Sequence, residues 1–220
     1  MSATADPTTA DGRRGDVRAG VRIEVVTVVW MLAEAAVALA AGMLAGSVLL
    51  TAFGVDSIIE LVAGGVLLWR LVTEARGGSL ERVERAERRA AWVTATALIL
   101  LCIYVVVTAG LGLASRTHPA ESLSGIGVSA AAIVVMPLLA VRKRRLAKRL
   151  GSSALRGDAT CSATCAYLAG TVLLGLFLQA TLGWWWADSV AALALLFWLG
   201  REAQEAVANA RSGASACSCG

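Results

Sequence analysis

Polar and apolar positions along the chain fall into long blocks. Six apolar stretches approach the ~20 residues needed to cross a ~30 Å hydrocarbon core, at residues 22–45, 47–70, 90–114, 121–141, 153–182 and 184–204. The pattern predicts an all-α, polytopic membrane protein with six transmembrane helices. Three residues or fewer separate the first span from the second and the fifth from the sixth, so both connections should be tight hairpins. Residues 1–20 are rich in Ala, Thr, Asp, Gly and Arg without an apolar run, and are expected to be a disordered tail. They lack the apolar centre of a signal peptide and should be retained. Residues 21–205 then form one transmembrane domain, and residues 206–220 a short flexible tail ending in Cys217-Ser218-Cys219-Gly220.

Composition agrees. The chain is 57% hydrophobic and 16% charged, with a mean hydropathy of +0.70, whereas soluble domains hold about 45–50% apolar and about 25% charged residues. A soluble globular enzyme is excluded, and neither a P-loop nor an H-E-x-x-H run is present. Five Cys in so apolar a chain do not make a disulfide framework.

Charge sets the orientation. Arg76, Arg82, Arg85, Arg88 and Arg89 follow the second span, Arg142, Lys143, Arg144, Arg145, Lys148 and Arg149 follow the fourth, and Arg13, Arg14 and Arg18 precede the first. The opposite loops offer only Arg116. The positive-inside rule places both termini and both basic loops in the cytoplasm of a cell-membrane protein. The basic segment after the fourth span is read as a topology signal against anionic headgroups, with no nucleic-acid partner. Trp184, Trp185 and Trp186 read as an interfacial anchor, and Asp188 as a structural carboxylate at a helix start. His118, the single His, is read as a surface residue.

A charged side chain at the centre of a spanning helix costs ~2.5–3.5 kcal/mol on the lenient insertion scale. Glu34, Asp56 and Glu60 qualify by position. Asp56 and Glu60 are i and i+4, one turn apart on one face, where two carboxylates repel unless a proton or cation sits between them. Cys161 and Cys165 repeat that spacing in the fifth span, whereas Cys102 reads as a small hydrophobe. Asp56 and Cys161 each lie nine residues into their spans, about 13–14 Å deep from opposite sides. Asp158 reads equally as an acid on the access route or as a helix N-terminal charge.

Setting 46–61 against 151–166, an offset of 105, aligns Gly46 with Gly151, Ser47 with Ser152, Leu50 with Leu155 and Ser57 with Ser162. Asp56 and Glu60 then fall on Cys161 and Cys165. The two segments run in opposite directions, as in inverted-repeat transporters whose site lies at the midplane.

These residues resemble the transmembrane domain of the cation diffusion facilitator family. GSVLLTAFGVDSIIELVAG is similar to its second helix, and ALRGDATCSATCAYLAG running on to LGWWWADSVAALAL to its fifth and sixth. The resemblance implies a cation-efflux-like bundle that exports a divalent metal, commonly zinc, in exchange for protons, and it implies homodimers. Its paired ligands fall on Asp56, Glu60, Cys161 and Cys165. The family's usual His and Asp are replaced by two Cys in the fifth helix, and its cytoplasmic metal-binding domain is not expected after residue 205.

Two carboxylates and two thiolates suit zinc, with cadmium or cobalt also accepted, and disfavour magnesium and calcium. The cation is cargo, so no permanent cofactor and no enzymatic activity are expected. Metal binding displaces protons from acids and thiols, which supplies a basis for antiport. Glu34 reads as a proton relay or outer partner, or as a buried acid kept protonated. Cys217 and Cys219 read as a metal collector, a redox pair or an idle tail. The alternative function is a membrane-embedded metal sensor or interaction protein that transports nothing.

Overall fold

A computed structural model describes residues 7–77, 79, 81–116 and 118–212, with side chains described from Gly15 onward except at 83, 84, 86, 87, 90, 153, 154, 209 and 212. The described chain is all-helical: α1 (Pro7–Ala45), α2 (Val48–Ala75), α3 (Glu81–Ser115), α4 (Leu123–Leu150), α5 (Ser153–Leu182) and α6 (Ala187–Ser212). Stretches of α1 to α5 are long and apolar enough to cross a membrane. α6 differs because every 18-residue window in it holds at least three charged residues, drawn from Asp188, Arg201, Glu202, Glu205 and Arg211. Val29, Leu32, Leu100, Leu111, Val134 and Phe197 project from the bundle. Such an outward apolar surface is stable only where lipid covers it.

Most of the packing is symmetric under exchange of the two halves, the exception being α2, which also packs on α6 without a comparable α3–α5 contact among the described residues. α1 packs on α2 as α4 packs on α5, α2 on α3 as α5 on α6, and α1·α4, α2·α5 and α3·α6 map onto themselves. The weak repeat has a structural counterpart at each hairpin. Gly46 and Gly151 both take the left-handed conformation, φ +64° each, which a glycine adopts without steric penalty. Ser47 and Ser152 then cap α2 and α5, their hydroxyls accepting from Leu50 N (3.1 Å) and Leu155 N (3.3 Å). Ser47 N donates to Gly42 O, and Ser152 N to Ala147 O, the same bond 105 residues on.

Two further features hold the α1–α2 hairpin. A Cβ on Gly54 would fall 2.8 Å from the backbone N of Leu39, so the helices approach as small residues allow. Asp188, buried at the start of α6, serves α2: its carboxylate accepts from Ser47 Oγ, Val48 N (3.0 Å) and Leu49 N (3.4 Å). The structural role expected for Asp188 is therefore exercised on a neighbouring helix, where bonds to a charged acceptor contribute about 1.5–3 kcal/mol each.

The chain ends depart from expectation. Residues 7–20, expected to be disordered, belong to α1, and Val17 and Gly20 are buried, the latter beside Leu71, Leu146 and Leu150. Residues 206–212, expected to be a flexible tail, belong to α6, with Ala206 and Ala210 buried. Both helices continue past their apolar runs because neighbouring helices extend alongside and cover their small residues. Residues 1–6 and 213–220, including Cys217 and Cys219, lie outside the described residues. The two ends of the bundle are named below for their residues: a Trp end with Ser47 and Trp184–Trp186, and an Arg end with Arg76 and Arg142–Arg149.

Candidate metal centre

The site is built on two buried stripes. On α2, Phe53, Asp56, Ser57, Glu60, Ala63, Gly64 and Leu67 recur at spacings of one or three residues, a helical repeat, and are all buried. On α5, Leu155, Asp158, Ser162, Cys165, Leu168 and Val172 recur at spacings of three or four and are buried too. Helical periodicity thus carries acids and thiols inward with the apolar residues around them. Where the stripes meet, the Cys165 thiol donates to Glu60 Oε2. These two residues are the pair that the 105-residue offset superimposes.

Asp56 is 1% exposed. Its Oδ1 and the Oε1 of Glu60 are buried without a hydrogen-bond partner. The charges of Asp56 and Glu34 act on both Glu60 and Cys165. Buried carboxylate oxygens with unused acceptor capacity are costly unless paired. Cys161 is buried one turn nearer the Arg end of α5, and neither it nor Cys165 is in a disulfide.

Among the described residues, no three His, Cys, Asp or Glu side chains are gathered closely enough to hold a metal ion. Of Asp56, Glu60, Cys161 and Cys165, Glu60 and Cys165 are brought into hydrogen-bond contact. Electrostatics accounts for this: carboxylates repel each other, whereas a thiol and a carboxylate share a hydrogen.

Glu34 joins the cluster from α1. Its Oε2 accepts from Trp30 Nε1 (2.6 Å) and its Oε1 from Ser57 Oγ (2.9 Å). Both oxygens accept, and the Ser57 bond holds Glu34 against α2. Cys102 is half-buried against the core on α3, within reach of the charges of Asp56 and Glu202.

Glu202 is the acid that sequence reasoning missed. Its charge acts on Asp56 and Glu60 from α6, and its Oε2 is buried without a hydrogen-bond partner. The signal was periodicity: Leu195, Leu199, Ala203 and Ala206 are buried on α6, and Glu202 is seven residues after Leu195, on that face.

A second charged cluster lies nearer the Arg end. Lys143, expected in a basic loop, is fully buried on α4. Its ammonium pairs with Asp158 Oδ2 on α5 and with Glu24 Oε2 on α1 at 3.1 Å. Asp158 is thus a buried ion-pair partner. His118 is exposed, its ring 5.7 Å from that of Trp185, and Trp184 stacks on Trp186 at 4.9 Å.

No curated protein matches the chain. The family described as cation efflux transmembrane domain matches residues 25–212, all six helices. That span includes Glu34, Asp56, Glu60, Cys161, Cys165 and Glu202, so the buried acids and thiols belong to the matched domain itself. The chain is a multi-pass membrane protein that belongs to the cation efflux family of metal cation transporters.

Proposed function

We propose that the chain exports a divalent metal cation, zinc first, from the cytoplasm in exchange for protons. The observation that carries this reading is the thiol–carboxylate bond between Cys165 and Glu60 inside the bundle. A proton occupies there what a cation would take over: zinc arriving between Glu60 and Cys165 displaces the thiol proton. Asp56 and Cys161, one turn away on the same helices, complete a mixed oxygen and sulfur set as α2 and α5 shift. Opening toward the Trp end lets returning protons restore the bond and release the metal, an alternating access centred on the midplane. Six crossings, with α6 as the last, put both termini and the Arg end in the cytoplasm. A homodimer in the bilayer is the assembly that the family resemblance suggests.

Equilibrium dialysis of the detergent-solubilised chain tests the site. Wild type should take up one zinc per chain and release protons as it does so. Asp56→Asn should bind at least tenfold more weakly. Equal binding by both proteins would remove Asp56 from the site.

A further inference from the structure

The ion-pair cluster at the Arg end has chemistry that the central pair does not use. Two carboxyl groups, Glu24 and Asp158, face one ammonium in a buried setting, so the cluster holds one more acid than its lysine can neutralise. Ser162 Oγ lies 3.5 Å from Lys143 Nζ and adds a third oxygen. Glu24 Oε1 is buried without a hydrogen-bond partner. It faces α2 at Gly64, where a Cβ would come within 3.2 Å of it.

Position along the helices ties this cluster to the centre. Gly64 is one turn, about 6 Å, beyond Glu60 on α2, and Asp158 is seven residues, about 10 Å, before Cys165 on α5. The cluster therefore sits between the Arg end and the Glu60–Cys165 bond. The ammonium belongs to a flexible four-carbon stem. Its sequence neighbours Arg142, Arg144 and Arg145 are exposed, so this turn of α4 borders solvent.

We propose that Glu24 and Asp158, with Ser162, form a second cation site, which the Lys143 ammonium fills whenever no divalent cation does. A divalent ion in place of the ammonium matches the charge of both carboxylates when they are ionised. An all-oxygen set of this kind suits a hard ion such as manganese, in contrast to the thiolate-bearing centre. That the site serves as a way-station for cargo rests on the transport reading, whereas its binding of a cation does not.

The test uses the full chain carrying Glu60→Gln/Cys165→Ser, which silences the central pair and separates the result from the transport reading. Manganese is the probe, read by electron paramagnetic resonance. Adding Lys143→Gln should produce one manganese site at least tenfold tighter than any seen with Lys143 present, and adding Asp158→Asn as well should abolish it. If Lys143→Gln does not stay folded alone, millimolar manganese should restore a monodisperse folded protein. The neutral Lys143→Gln/Glu24→Gln/Asp158→Asn chain should fold without manganese and bind none. Lys143→Gln protein that neither binds manganese nor is rescued by it overturns the proposal. A wild-type chain that binds no zinc centrally would defeat the transport reading and leave the manganese result standing.

Discussion

Glu60→Gln should lower zinc flux through the reconstituted protein by more than about 100-fold, the kinetic equivalent of losing one partner of a buried charged interaction worth about 3–5 kcal/mol. The amide keeps the shape of the side chain, so packing against α5 survives. The charge does not survive, and charge is what a cation stripped of water requires. Glu60 is also the acceptor of the Cys165 thiol, so the variant loses both the proposed ligand and the proposed partner in proton exchange. Metal uptake into proteoliposomes, with the amount of inserted protein matched, measures the effect. Flux within a few-fold of wild type would place the cation elsewhere in the bundle.

Lys143→Gln should destabilise the chain by about 3–5 kcal/mol, the penalty for leaving buried charge uncompensated. Lys143 holds Glu24 of α1 and Asp158 of α5 from α4. Without it, two carboxylates face each other in a setting with little water. Removing the acids too should recover most of the loss, because an uncharged set of that shape needs no counter-ion. Thermal unfolding in detergent distinguishes the cases: a large drop for Lys143→Gln, and near recovery for Lys143→Gln/Glu24→Gln/Asp158→Asn. Equal drops for both would mean that Lys143 stabilises through its packing.

The fold was legible because the membrane imposes long apolar blocks and because the hairpins carry explicit signals. Gly46-Ser47 and Gly151-Ser152 serve as helix stop and start, although apolar counting predicts a tight hairpin only at the first and a basic loop over residues 142–152 before the second. The central pair was legible for a similar reason, since an acid in mid-span is costly unless something offsets its charge, and the repeat superimposed Glu60 on Cys165. The charges near the ends were not legible by that rule. Glu24, Lys143, Asp158 and Glu202 lie close to where the apolar runs fade, and counting apolar residues assigns them to loops and helix ends. The buried stripe of α4 runs through Ala132, Met136, Leu139, Lys143 and Leu146 at spacings of three and four, past the point where its apolar run ends at residue 141. Periodicity continued where hydropathy stopped, because the helices pack on one another beyond the hydrocarbon core. The same reason extends α1 back to Pro7 and α6 on to Ser212.

The central claim is that this bundle moves a divalent cation against protons. Its most direct test is zinc uptake by proteoliposomes containing the wild-type chain, with and without an imposed pH gradient, alongside cadmium, cobalt and manganese. The account predicts saturable zinc uptake that rises with the gradient and collapses when a protonophore dissipates it. Flux no greater than that of protein-free liposomes, for every ion, would contradict it.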